Sequence, residues 1–507
     1  MAHQQIYYRP EWTAGRYNVE NKAAIFYNLI EGMSYFFEDD SAEIIGAILD
    51  VERNGCFSVD DLAAQTNTDS SCLKVFLDEL QRLNLVTHSR PEPEDIARYR
   101  RSMAAWKREN PPTLDKSTAE KLPLEHSNVE MTYASRVGGI TSVMLELTYN
   151  CSEKCIHCYN FGATHSDDEI SHRNDLAELT LDDYKRIIDD LYEQGLYIVC
   201  LTGGDPFSKP YAWDIIDYLY SKGIVFDIFT NGQRIINDVD RLASYYPRVV
   251  GVSIYSCDAA VHDYITRIPG SWERSMKVVN RLAELAVPMN IKCCVMRPNV
   301  KTYRGVAEIA RDAGAQPQFE INVSDSVDGD KCVSRYLRLT KEEYELVFRD
   351  DNVPQYVGKE APNYGGQPKD KNCNGCGAGQ STLCLSPDGE VYPCCSFHMS
   401  FGNLRYADIK SVINGRPYLG WQKVSLADYE ECGDHDYCDY CNLCPGHGYS
   451  EHGDFRKASE NCCHVAKIRF SLAMKMMDGY DPCNGKSLDE AIASLPDYPK
   501  PQLHRVK

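Results

Sequence analysis

From residue 140 to about 330, short apolar runs alternate with amphipathic stretches of helical period. The runs 143–149, 197–201, 225–229, 249–255, 289–296 and 319–323 predict strands. Between them, 181–194, 213–221 and 272–285 carry apolar residues three and four apart and predict helices. This alternation implies a parallel sheet with helices outside it. Six βα units fall short of the eight that close a full barrel, so a partial barrel is expected. Its functional loops belong at the carboxyl ends of the strands.

The flanking regions follow other patterns. In residues 1–88, short apolar runs at 6–8 and 24–27 predict strands, and three helical patterns come after them. Ile44, Ile45, Ile48 and Leu49 share one face; Ser58 is a predicted N-cap for a helix carrying Leu62; Leu73, Phe76, Leu80 and Leu83 form a third stripe. Residues 89–137 are charged and interrupted by Pro91, Pro93, Pro111, Pro112 and Pro123, which predicts a linker with helix near 96–107. The barrel takes 138–335. Residues 336–507 are loop-rich, with apolar content too thin to fold well alone, so metal sites are expected to supply stability.

Composition narrows the classes. Hydrophobic residues are 43% and charged residues 25%, as in ordinary globular proteins. The net charge of −20 argues against coating nucleic acid, which needs a basic footprint. No apolar run is long enough to span a bilayer and the start lacks a signal-peptide pattern, so a cytoplasmic protein with no membrane partner is expected. There, 22 cysteines point to metal rather than disulfides. Twelve of them lie between Cys373 and Cys483.

The sharpest motif is Cys151-x3-Cys155-x2-Cys158, directly after the first barrel strand. Three thiolates can wrap a cubane iron–sulfur cluster and leave one iron open, as a catalytic site requires. Zinc would want a fourth ligand that His157, between two cysteines, is badly placed to give. Simple electron transfer would prefer four cysteines.

The triplet, followed by Tyr159, resembles the radical S-adenosylmethionine (radical SAM) superfamily. Gly203-Gly204-Asp205-Pro206 after the second strand resembles its GGE/D-P motif, whose backbone and acid hold the methionine amino group. The superfamily has Glu where Asp205 stands. Thr230-Asn231-Gly232 resembles its TNG turn, and Ser253 and Arg267 stand where it places contacts to SAM carboxylate and ribose. The resemblance implies SAM as cofactor, a 5′-deoxyadenosyl radical, and reduced flavodoxin or ferredoxin as electron donor. Cys200, Cys257, Cys293 and Cys294, in or beside strands, are expected to be small core residues.

Farther on, Pro387-Asp388-Gly389 marks a hairpin turn that would bring Cys376 and Cys394 together. Gly389-x4-Cys394 and the run Cys438-x2-Cys441-x2-Cys444 resemble the SPASM extension, which implies two auxiliary clusters and three [4Fe–4S] clusters in all. The implied partition puts Cys376, Cys394 and Cys444 on the first, with Cys373 or Cys384 as its fourth. It puts Cys432, Cys438, Cys441 and Cys462 on the second, leaving Cys395 and Cys463 as spares. The cysteine run departs from the usual spacing, and a zinc ribbon is the plainer alternative.

The front pattern resembles a winged helix. Its third helix carries Asp78 and Glu79 against Lys74 and Arg82, unsuited to a major groove. It resembles the PqqD-like domains that bind a leader peptide as an added strand. The expected fold is thus α/β: a partial (β/α)6 radical SAM barrel between a winged-helix-like domain and a cysteine-rich SPASM domain. The expected activity is modification of a ribosomally made precursor peptide, by a cysteine thioether or a carbon–carbon crosslink. Alternatives are sulfatase-maturase-like oxidation or epimerisation, a small-molecule or RNA substrate, and a zinc-rich adaptor without catalysis.

Overall fold

The computed structural model describes residues 5–110, 129–160, 178–326, 334–357, 372 and 375–498. Six parallel strands form the centre in sequential order: β6 (Ser142–Thr148), β7 (Ile198–Gly203), β8 (Val225–Thr230), β9 (Val249–Ser253), β10 (Met289–Cys294) and β11 (Gln316–Glu320). The last begins three residues before its expected start.

The two-residue period of a strand gives this sheet two unlike faces. Val143, Leu145, Val199, Leu201, Ile228, Val250 and Ile291 pack into one apolar cluster with Ile187, Ile215, Val278 and other helix residues. The alternate positions hold Glu146, Cys200, Asp227 and Lys292, none of them in that cluster. The Cys200 thiol senses Asp227, Lys292 and Cys395. Cys200 is buried as expected, on the polar face of the sheet rather than in the helix-facing cluster. Cys257 is exposed, contrary to expectation, with its thiol donating to the Thr302 carbonyl at 3.3 Å; Cys293 is a core residue as expected.

The front region holds the two strands expected near 6–8 and 24–27 and adds three that the pattern did not mark. β1 (Ile6–Tyr8) pairs antiparallel with β5 (Cys56–Ser58), and β2 (Thr13–Asn18), β3 (Ala23–Asn28) and β4 (Met33–Glu38) form an antiparallel sheet. Of the three strands in this sheet only β3 is buried throughout, so only β3 of the three shows a continuous apolar run. On one face Ala24 and Phe26 pack against α1 (Asp39–Asp50), α2 (Val59–Thr66) and α3 (Ser70–Arg82). On the other, Ala23, Ile25 and Tyr27 pack against Tyr197, Ile198 and Val225 at the amino ends of β7 and β8. Ser58 caps α2 by accepting from the Asp61 amide at 3.1 Å.

The segment read as a linker carries the helix expected near 96–107 and a second helix, Val129–Val137. Helix α4 (Pro93–Glu109) lays Ile96, Tyr99 and Met103 against the front sheet's cluster, and Tyr133 of the helix Val129–Val137 is fully buried there. Pro93 opens α4, where its missing amide costs nothing. Pro111, Pro112 and Pro123 lie outside the described residues.

The C-terminal region extends the central sheet. β12 (Thr382–Leu385) pairs parallel with β6, and β13 (Glu390–Tyr392) and β14 (Gly402–Asn403) follow antiparallel. The expected turn is present, with the Gly389 amide donating to the Ser386 carbonyl. An aromatic knot joins Phe397, Trp421 and Phe455, at centroid distances of 5.1, 5.4 and 6.0 Å. The apolar residues of this region pack in one cluster with the barrel core.

Candidate active site

The Cys151–Cys158 loop leaves the carboxyl end of β6 and is pinned by backbone bonds. Lys154 N donates to Thr266 O at 3.0 Å and Ile156 N to Ile265 O at 2.9 Å, so the loop lies on the end of the helix Ala259–Thr266. Ile156 is buried with Ile265, Met296, Val323 and Leu337. These anchors leave Cys151 exposed and Cys155 and Cys158 half-buried.

The end of β7 closes over this loop. Gly204 N donates to Thr148 O at 2.8 Å and Asp205 N to Asn150 O at 3.0 Å. A Cβ on Gly204 would lie 2.4 Å from Asn150 O, and Gly203 has φ of +119°, so both positions require glycine. Asp205 is fully buried. Its carboxylate accepts from Thr230 Oγ1 at 2.6 Å, from Asn231 N at 3.0 Å and from Phe207 N at 3.0 Å. The acid thereby ties the Gly-Gly-Asp segment to the Thr-Asn-Gly turn. That turn places Asn231 Nδ2 3.3 Å from Cys151 Sγ, and Glu153 N donates to the same sulfur at 3.4 Å. Amide N–H groups aimed at sulfur stabilise a thiolate.

Burial raises the Cys155 thiol well above its usual range, and Glu153, 3.5 Å away, adds to this. Burial likewise pushes the Glu153 carboxyl up to about 8. Thiols so placed gain from a cation that takes them as thiolates. The donor set, three thiols on a pinned loop with N–H groups on one of them, fits an iron–sulfur cluster. Among the described residues no three His, Cys, Asp or Glu side chains converge at the spacing of a single metal ion.

Other expected contacts are distributed around the loop. Ser253 ends β9 beside Tyr255. Arg267 caps the helix Ala259–Thr266 in the left-handed region at φ 61°. Tyr159 turns inward, its hydroxyl 3.5 Å from Glu146. His157 packs edge-on against Tyr255 at 4.7 Å, and burial lowers it to about 4, so it is neutral near pH 7.

Sequence reasoning missed the polar face of the sheet itself. Glu146 is fully buried there, accepts from Tyr149 Oη at 3.2 Å, and is pushed up to about 7 by burial. Lys292 lies 3.4 Å above the Phe229 ring, and burial lowers its amine. The available signal was a single charge inside each of three otherwise apolar strands, at Glu146, Asp227 and Lys292.

The remaining cysteines gather in two groups. Cys394 lies within electrostatic reach of Cys376 and Cys444, which come from separate segments. Cys384, buried in β12, lies within electrostatic reach of Glu146, Cys395 and Cys394. Cys373 is outside the described residues. Cys432, Cys438 and Cys441 line a cavity of about 310 Å³ together with Cys463. Cys462 is not part of that lining; its sulfur is 3.4 Å from His447 Nδ1 and within electrostatic reach of Cys441 and Cys444.

Comparison with known proteins agrees with this geometry. The radical SAM superfamily matches residues 145–312, and the SPASM iron–sulfur cluster-binding domain matches residues 376–445. The antilisterial bacteriocin subtilosin biosynthesis protein AlbA of Bacillus subtilis is 27% identical over 338 residues, 64% of this chain and 70% of that protein. The mycofactocin maturase MftC of Mycobacterium tuberculosis is 27% identical over 375 residues, 70% of this chain and 86% of that one. Among solved structures, Streptococcus suis SuiB bound to precursor peptide SuiA shares the fold with a TM-score of 0.52 at 13% identity, covering 90% of this chain and 99% of that one. The chain carries a radical SAM domain and a SPASM domain. It is an enzyme whose radical SAM domain uses SAM and a [4Fe–4S] cluster and whose SPASM domain binds auxiliary iron–sulfur clusters. Among the described residues no helix is long and apolar enough to cross a membrane.

Proposed function

We propose that this enzyme is a peptide maturase that binds a precursor peptide through its front domain and crosslinks residues of the peptide's core. A cysteine thioether is the first product expected and a carbon–carbon bond the second. The observation that carries the reading is the outer edge of β4. Among the described residues β4 pairs only with β3. Beside it stands α3, with Phe37 and Phe76 in edge contact at 5.9 Å. An unpaired edge next to an apolar helix face is what an added peptide strand needs. On α3, Arg82 is engaged by Glu79, which leaves little for a phosphate backbone. The names of AlbA and MftC, and the precursor peptide in the SuiB structure, support the same reading.

In this reading Cys151, Cys155 and Cys158 hold the catalytic cluster, with SAM along Tyr159, Gly203, Gly204, Thr230, Asn231, Ser253 and Arg267. Asp205 acts through the turn it fastens. When bound, SAM and the reduced cluster supply one-electron chemistry that removes an unactivated hydrogen. The protein orients the peptide at the carboxyl ends of the strands and keeps water out. The first auxiliary site takes Cys376, Cys394 and Cys444, which makes three clusters with the second. Reduced flavodoxin or ferredoxin is the electron donor, in the cytoplasm. The front domain packs on the amino ends of β7 and β8, so the peptide must run around the barrel from grip to reaction.

The test uses the full-length holoenzyme and candidate short precursor peptides, read by mass spectrometry. Loss of two hydrogens per bond, with fragmentation blocked between the joined residues, is expected. The same loss without a block would indicate oxidation in place. Peptide turnover unaffected by Phe37→Asp with Phe76→Asp would remove the front domain from the mechanism.

A further inference from the structure

We infer that Cys463, not Cys462, is the fourth thiolate of the second auxiliary site, and that Cys462 fastens the C-terminal region to the barrel through His447. The inference rests on the reading that this region holds a second auxiliary cluster.

Two observations carry it independently. The first is the cavity of about 310 Å³ in the loop before the helix Pro445–His452. Four cysteines line it: Cys432, Cys438, Cys441 and Cys463. Cys462 is not among its lining. The two adjacent cysteines occupy the first turn of the helix Glu460–Met477, where successive side chains point about 100° apart. They cannot both face one cavity, and the helix turns Cys463 toward it.

The second observation is what Cys462 does instead. It is 6% exposed, and its sulfur is 3.4 Å from His447 Nδ1. The other ring nitrogen, Nε2, is 2.8 Å from Ser324 Oγ. Ser324 follows β11 on the barrel. A chain of three polar side chains, Cys462 buried and His447 and Ser324 half-buried, therefore runs from the C-terminal helix to the carboxyl end of the barrel. Each is satisfied within the protein, as buried polar groups must be. A fully ligated cubane takes four thiolates, and the cavity offers four without Cys462.

The test compares three variants of the anaerobically purified holoprotein: Cys432→Ala, Cys462→Ala and Cys463→Ala. The readouts are iron and sulfide per chain, and the electron paramagnetic resonance of the oxidised and reduced clusters. Cys432→Ala is the reference for damage to the second site. Cys463→Ala is expected to match it, losing up to about four irons per chain or giving a three-iron signal. Cys462→Ala is expected to keep wild-type iron and spectra, with a lower melting temperature. Cluster damage in Cys462→Ala and wild-type spectra in Cys463→Ala would overturn the inference. Wild-type iron and spectra in all three would overturn the second auxiliary site itself, and the inference with it.

Discussion

The two cysteine-bearing regions are built on opposite plans. Cys151, Cys155 and Cys158 lie within one turn of chain after β6, so their spacing alone brings them together. The C-terminal thiols come from four segments: before β12, after β13, the loop 432–444 and the helix Glu460–Met477. There, only packing decides which sulfurs meet. The first region has little apolar support of its own beyond Ile156, whereas the second is held by the Phe397–Trp421–Phe455 knot. A loop whose thiols are close in sequence thus stands beside a region whose thiols are brought together by packing.

That contrast can be broken most severely at Cys155. In Cys155→Ala, SAM cleavage is expected to fall to background and iron by about one cubane per chain. The auxiliary clusters should keep their spectra. Loss of all iron together would mean that the regions are not independent.

Next in size is Trp421→Ala. Removing a buried tryptophan, 1% exposed, is expected to cost about 3–5 kcal/mol in denaturant unfolding of the apoprotein. Chelated wild-type protein should retain near-ultraviolet circular dichroism from the knot. Loss of that signal on chelation alone would show that metal, not aromatic packing, holds the region.

A third test lies beneath the catalytic loop. His262 is buried, its Nδ1 accepts from Tyr255 N at 3.1 Å, and burial lowers it to about 4. Because the folded pKa lies below the unfolded value near 6.5, the unfolded chain binds the proton first. Stability is therefore full above about pH 6.5 and lost as the pH falls toward 4, by about 3 kcal/mol. His262→Asn, which keeps an acceptor for Tyr255 N, should flatten that part of the pH profile. An unchanged slope would assign it to other groups.

The smallest effect is expected at Asn231. Asn231→Ala removes the N–H that reaches Cys151 and should weaken retention of the catalytic cluster about 10- to 100-fold against a chelator. The auxiliary clusters should be released at the wild-type rate. Equal release of both would contradict the local role of the turn.

The comparison also explains what was legible beforehand. The six barrel strands were visible because their helix-facing positions are continuously apolar. The cysteine triplet was visible because its ligands are close in sequence. β2 and β4 were not visible, since each buries too little to leave a clear period, and their order comes from pairing with β3. The interior charges Glu146, Asp227 and Lys292 were in plain view, but nothing local said they shared a face.

By itself, the sequence determined the alternating α/β core, the loop that carries the cysteine triplet and the turn at Gly389. These follow from short-range periodicity, spacing and backbone preference. Only the tertiary structure decided that Asp205 turns inward to hold Thr230 and Asn231, and that β12 joins the sheet beside β6. It alone decided which of two adjacent cysteines faces the auxiliary cavity. Those outcomes depend on groups distant in the chain competing for the same space and the same hydrogen bonds, which no local pattern records.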